Sequence, residues 1–179
     1  MAVSIEDIKK LRAMTGAGLA DVKKALTEAE GDFDKAKDLL RERGLAIAAK
    51  RSDRETSNGC VLVKSVNGFA ATIALKCETD FVANGADFIK LTSDILDAAI
   101  AAKAHTLDEV KALALGEGDV QAAVTQRSGI TGEKMELDGY NVLEGDNIEV
   151  YDHMGKHTLC TMVQLNKENA EVGHKIAMQ

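Results

Sequence analysis

The chain has 179 residues, 45% of them apolar and 28% charged, which is the usage of a globular protein and excludes a disordered or fibrous one. Its net charge of −7 is uneven: residues 1–54 hold 12 Lys and Arg against 10 Asp and Glu, and the remainder holds 10 against 19. A protein that grips phosphates shows a strong basic field, so no direct nucleic-acid partner is expected.

Ser4 with Asp7 three residues on forms a capping-box pattern, which predicts a helix beginning near Ile5 with Ile8, Leu11 and Met14 on one face. Thr15-Gly16-Ala17-Gly18 ends it. A second helix is predicted with Leu19, Val22, Leu26 and Ala29 on one face. Gly31 breaks that helix, and Asp32 is a good N-cap for a third. The third buries Phe33, Ala36, Leu39 and Leu40 and is expected to stop at Gly44. Residues 1–50 therefore read as a three-helix bundle. A bundle that small buries little surface and suits docking on a larger body. Gly16-Ala17-Gly18 is not a phosphate loop, because it follows a helix and lacks both a third glycine and a Gly-Lys-Ser/Thr. Lys9, Lys10, Arg12, Lys23 and Lys24 place positive charge around that turn, as a solvated face or as a surface for an acidic partner.

A short helix from Leu45 is expected to run into a polar linker over residues 51–58. A core subdomain over 59–140 follows, and residues 141–179 begin another. Cys60–Val66 and Phe69–Leu75 are β-rich runs separated by Asn67-Gly68, a strong hairpin signal. Phe88, Leu91, Ile95, Ala98 and Ala99 give the next helix, Asp87 to Ala104, one apolar face. Thr106 and Glu109 form a second capping box, opening a helix to about Leu115. A helix is expected over Val120–Arg127, then strands over Lys134–Val142, Asn147–Asp152 and His157–Val163, the last two joined by a turn at Met154-Gly155-Lys156. Lys167 to Gln179 reads as a helix with Ala170, Val172, Ile176 and Ala177 apolar. No stop signal follows it, which reads as a chain cut short. The fold class is α+β.

No apolar run approaches the ~18 residues that span a bilayer, so no membrane is expected. Met1 to Asp7 carry no signal-peptide pattern. Cys60, Cys77 and Cys160 are far apart and odd in number, which argues for free thiols in a reducing cytoplasm. Asp152, His153, His157 and Cys160 cluster in sequence, but His157 and Cys160 would point to opposite faces of a strand, and no metal-ligand spacing supports them. Glu78 and Asp80 have no nucleophile nearby. The chain offers no assembled catalytic site, and no cofactor is implied.

Between the hairpin and the following helix stands Cys77-Glu78-Thr79-Asp80-Phe81-Val82-Ala83. Aromatic residues are only 3% of the chain, so Phe81 after the acid Asp80 is conspicuous. Position alone leaves two readings. Phe81 covers the local core while Asp80 caps the next helix, or the pair protrudes into a partner from a rigid mount.

Leu11-Arg12-Ala13-Met14-Thr15-Gly16-Ala17-Gly18-Leu19-Ala20-Asp21-Val22-Lys23-Lys24-Ala25-Leu26 closely resembles the N-terminal signature of bacterial elongation factor Ts. Cys77 to Ala83 resembles the second signature of that family. Leu143-Glu144-Gly145-Asp146 with Tyr151-Asp152-His153 looks like the start of its C-terminal subdomain. The resemblance implies a ubiquitin-associated-type N-terminal bundle and an antiparallel sheet core with packed helices. It implies guanine-nucleotide exchange on the GTPase elongation factor Tu, with no enzyme chemistry. In that family the phenylalanine wedges between partner helices and the acid disturbs the coordination of the partner's Mg²⁺. Matching motif positions assign these roles to Phe81 and Asp80, flanked by Thr79 and Val82. They assign N-terminal docking to Arg12, Leu19 and Lys23, and a C-terminal contact to His153. The family often carries a second large apolar residue where Ala20 stands, and most members continue well past residue 179. The competing expectations are a helix-bundle adaptor without exchange activity, a small enzyme, and an RNA-binding accessory.

Overall fold

A computed structural model describes residues 3–179. Its elements in chain order are α1 (Ile5–Thr15), α2 (Leu19–Glu28), α3 (Phe33–Ala49), β1 (Asn58–Val66), β2 (Phe69–Cys77), α4 (Asp80–Ala83), α5 (Ala86–Ala102), α6 (Leu107–Ala112), β3 (Ala114–Leu115), β4 (Gly118–Asp119), α7 (Val120–Thr131), β5 (Met135–Glu144), β6 (Ile148–Asp152), β7 (Cys160–Gln164) and α8 (Ala170–Ala177). The fold is α+β, with antiparallel sheets. The chain divides into two units. The first runs to Arg54 and takes in Thr125–Lys134; the second comprises Glu55–Val124 and Met135–Gln179.

The first unit is a three-helix bundle whose helix ends follow from local chemistry. The Ser4 hydroxyl accepts from the Asp7 N–H at 3.0 Å, and the Asp7 carboxylate accepts from the Ser4 N–H at 3.3 Å, so two orphan donors at the start of α1 are satisfied. Gly16 ends α1 at φ +69°, where a side chain would be strained. Asp32 caps α3 by accepting from Asp34 and Lys35. Leu11, Val22, Ala25, Leu26 and Ala36 form a fully buried seam, with Phe33, Leu39 and Leu40 packed on it.

Met14 and Leu19, on the apolar faces of α1 and α2, are 54% and 55% exposed. Three short helices bury one narrow stripe each, and these two side chains flank the α1–α2 turn beyond that stripe. Gly44 does not stop α3, which continues to Ala49. It is buried because Gly129 of α7 lies against it, so closely that a Cβ on Gly129 would overlap the Gly44 backbone. Gly44 therefore serves a helix crossing and leaves the helical backbone intact.

In the second unit β1 and β2 form the expected hairpin. Asn67 and Gly68 both have positive φ, +49° and +75°, as a type I′ turn requires. β5 pairs with the other edge of β2, giving the order β1-β2-β5. β2 is thus central and mostly buried, and α5 lays Phe88, Thr92, Ile95, Leu96 and Ala99 onto the hairpin. The core joins these to Phe69, Ile73, Leu75, Val110, Val120 and Val124. The Thr92 hydroxyl is satisfied by donating to the Phe88 carbonyl at 2.9 Å. The Thr106–Glu109 capping box opens α6, which ends at Ala112 because the chain then pairs as the short β3–β4 ribbon.

The β6–β7 connection is wider than the expected tight turn, and β7 begins at Cys160 rather than His157. Met154, Gly155 and His157 all adopt left-handed φ, and Asp152 holds the loop by accepting from both the backbone N–H and the ring of His157. α8 buries Gly173 and Ala177, leaving Val172 and Ile176 43% and 48% exposed. Gly173 is what allows the close approach, since a Cβ there would meet the Glu149 and Leu165 side chains.

Candidate functional site

The hairpin positions the site. Its ladder runs from the Val66–Phe69 pair at the turn to the Asn58–Cys77 pair at the open end, nine residues per strand. A cleft of about 310 Å³, lined by acidic and amide groups such as Asp146, Glu149 and Asn169, borders the turn end at Ser65 and Gly68. The conspicuous motif leaves the open end, roughly 30 Å of strand away. The feature there is convex.

After Cys77 the chain turns out of the sheet. Thr79 is the N-cap of α4, its hydroxyl accepting from the Val82 N–H at 3.3 Å. Asp80 and Phe81 are the first two residues of that four-residue helix, and Ala83 tucks into the core behind them. Phe81 is 87% exposed, more than any other large apolar side chain of the second unit. Asp80 is exposed and Val82 half-buried against the core. Of the two readings open to the sequence, the core-covering one does not hold: Phe81 covers nothing, and the capping residue is Thr79.

Three successive carbonyls beneath this tip each receive a side-chain donor. The Asn58 amide donates to Glu78 O at 2.9 Å, the Cys77 thiol to Thr79 O at 3.2 Å, and the Asn84 amide to Asp80 O at 2.8 Å. Ser57 adds a longer bond, 3.4 Å, to Glu78 O. Sequence reasoning missed all of these. Asn58 lies in a stretch read as linker and acts over twenty residues of chain. Only Asn84 stood within reach of a local signal, as a polar residue closing a short helical turn.

Arg12, Leu19 and Lys23 lie in the first unit and are all exposed. Thr79 to Val82 and His153 lie in the second. His153 is exposed on the β6–β7 loop, with Nδ1 3.2 Å from the Tyr151 hydroxyl. Among the sequence cluster Asp152, His153, His157 and Cys160, the structure brings Asp152 and His157 together at 2.5 Å. The Cys160 thiol donates to Val61 O at 3.2 Å instead. Burial pushes the Cys160 thiol up to about 12 and that of Cys60 up to about 11, which leaves both protonated and unreactive at neutral pH. Among the described residues no group of three or more His, Cys, Asp or Glu could hold a metal ion, and no helix is long and apolar enough to cross a membrane.

The family model for elongation factor Ts matches residues 78–179, which takes in the tip and everything after it. The chain belongs to the elongation factor Ts family. It is 63% identical over 179 residues to elongation factor Ts of Parabacteroides distasonis and 64% identical over 180 to that of Bacteroides fragilis. Against elongation factor Ts of Porphyromonas gingivalis it is 49% identical over 181 residues. Each match covers the whole chain, but 54% of the first two relatives and 66% of the third, so the chain spans about half the length of the first two elongation factors Ts it matches.

Proposed function

We propose that this chain is a guanine-nucleotide exchange factor for the translational GTPase elongation factor Tu, working in translation elongation in the cytoplasm. Phe81 is the wedge, Asp80 disturbs the coordination of the partner's Mg²⁺, and Thr79 and Val82 hold the pair in place. Arg12, Leu19 and Lys23 dock the first unit, and His153 adds a contact from the second. The role is a binding role, with no covalent step and no cofactor of its own. The observation that carries it is a large aromatic, 87% exposed, on a mount whose backbone carbonyls are tied by side chains.

Mg²⁺ is the largest local charge in a GTPase site, so shifting its ligands removes much of the nucleotide's hold. A ten-thousandfold gain in release needs about 5.5 kcal/mol of differential affinity. Burying one phenylalanine supplies about 1.5–3 kcal/mol. Phe81 therefore needs a broad docking surface to hold the distorted partner, and Arg12, Leu19 and Lys23 provide part of it. Linkage makes the effect reciprocal: bound nucleotide weakens the factor's own binding.

The test is release of fluorescent GDP from elongation factor Tu. Phe81→Ala is expected to slow stimulated release roughly 10- to 100-fold while the fold stays intact. Release as fast as with the unchanged chain would remove the wedge. Capture of elongation factor Tu with no acceleration of GDP release by the unchanged chain would point to the adaptor.

A further inference from the structure

The bonds beneath the tip have a consequence that exposure alone does not. The β1–β2 ladder ends at the Asn58–Cys77 pair. One residue later the backbone leaves the sheet at Glu78. The Asn58 amide reaches across and donates to it at 2.9 Å, standing in for the next rung. The Cys77 thiol, at the end of β2, adds a bond to Thr79 O, and the Asn84 amide, at the C-cap of α4, adds one to Asp80 O, each beside the helix's own backbone bond to that carbonyl. α4 has only four residues, far below the length at which a helix holds itself in water. Its direction is therefore set by its ties to the second unit: the Asn58 and Cys77 bonds at its root and the packing of Val82 and Ala83 on the core.

We infer that Asn58, seconded by Asn84, is a positioning residue for exchange: its carboxamide locks the root of α4 to β1 and so fixes the angle at which Asp80 and Phe81 project. This rests on the exchange reading above. Neither asparagine is expected to touch the partner's nucleotide. Each makes the tip rigid before encounter, so that docking energy is spent on distorting the partner rather than on ordering the tip.

Asn58→Asp keeps the shape but replaces the donor with a charged acceptor facing a carbonyl. GDP release from elongation factor Tu is measured over a range of factor concentrations. The plateau rate is expected to fall roughly threefold to tenfold, the scale of one lost hydrogen bond, with the half-saturating concentration within about twofold of the unchanged chain. Amide exchange of the Val82 and Ala83 N–H groups is expected to quicken by a similar factor. A merely structural role would lower the melting temperature and move neither the plateau nor those amides selectively. Asn84→Ala, an exposed change at a helix C-cap, gives the same direction of effect and decides the matter alone should Asn58→Asp fail to fold. Phe81→Ala runs in parallel. A slowed Phe81→Ala beside unchanged plateaus for both asparagine variants overturns this inference and leaves the wedge standing. A Phe81→Ala chain with full release removes the wedge and this inference with it, and an unchanged chain that binds elongation factor Tu without accelerating release overturns the exchange reading itself.

Discussion

In the first unit the fully buried apolar side chains are Leu11, Val22, Ala25, Leu26 and Ala36; in the second they include Phe69, Phe88, Ile73, Leu75, Ile95 and Val110. Both units also expose large apolar groups: Ile5, Met14 and Leu19 in the first, Phe81 in the second. The same observation means different things in the two places. A bundle of three short helices cannot bury all its apolar side chains, because too little of its volume is interior. Exposed Met14 and Leu19 need no further cause. The second unit has a broad core and buries two other phenylalanines completely. Its third, Phe81, is held out by a short helix whose root receives two side-chain hydrogen bonds from the sheet, from Asn58 and Cys77, and whose C-cap Asn84 adds a third within the helix. Lack of room does not explain it. Isolated exposed apolar residues are ordinary on protein surfaces, so the mount matters more than the exposure.

Two phenylalanines of the second unit should respond in opposite ways to truncation. Phe88→Ala empties a site of 0% exposure and is expected to cost about 3–5 kcal/mol in chemical denaturation. Phe81→Ala should stay within about 0.5 kcal/mol. Similar costs for the two would mean that Phe81 packs in solution, and its role as a free tip would be lost. A smaller effect is expected in the first unit. Gly129→Ala forces a methyl into the Gly44 backbone and should cost about 1–3 kcal/mol, through overpacking at the α3–α7 crossing. The loss should appear in amide protection of α3 around Gly44, while protection of β2 is unchanged. A neutral Gly129→Ala would show that the two helices part easily and that Gly44 is there for another reason.

What the sequence made legible was local. Capping boxes at Ser4–Asp7 and Thr106–Glu109 span three residues, and the Asn67-Gly68 turn spans two; each is written in adjacent letters and each forms. What stayed hidden spans distance. Gly44 reads as a stop in the sequence because the partner that explains its place, Gly129, lies 85 positions along. Asn58 reads as linker because the carbonyl it serves belongs to Glu78. The β6–β7 loop is wider than its residues suggest because the left-handed backbone of Met154 and His157 leaves no pattern in residue type, and Asp152 stabilises it from five residues away. Met14, Leu19, Val172 and Ile176 lie on apolar helix faces yet stay largely exposed, since a 3.6-residue stripe shows that a face is apolar and not that anything covers it. At the tip, residue spacing left two readings open, and the family resemblance supplied the roles. Position and exposure came from the fold.

The smallest expected effect lies in the second unit. The Glu109 carboxylate accepts from the His105 N–H at 2.6 Å and the Thr106 N–H at 3.2 Å, and these backbone bonds lower its pKa below the usual 4.5. They anchor the turn where His105 meets Phe69 edge-on, with ring centroids 5.7 Å apart, and where Ala104 O accepts from the Tyr140 hydroxyl at 2.8 Å. A carboxylate whose folded pKa is depressed adds stability that is fully present above its unfolded pKa and disappears as pH falls through the folded one. Glu109→Gln keeps an acceptor but loses the charge. Its melting temperature is expected to lie slightly below that of the unchanged chain at neutral pH, with the gap closing on the acid side of 4.5. The group is fully exposed, so the gap should be small and should narrow in high salt. A gap that is the same at pH 7 and pH 3 would show that the side chain acts through shape and not charge. The capping box would then be a purely geometric device in the large unit, as the Ser4–Asp7 box is free to be in the small one.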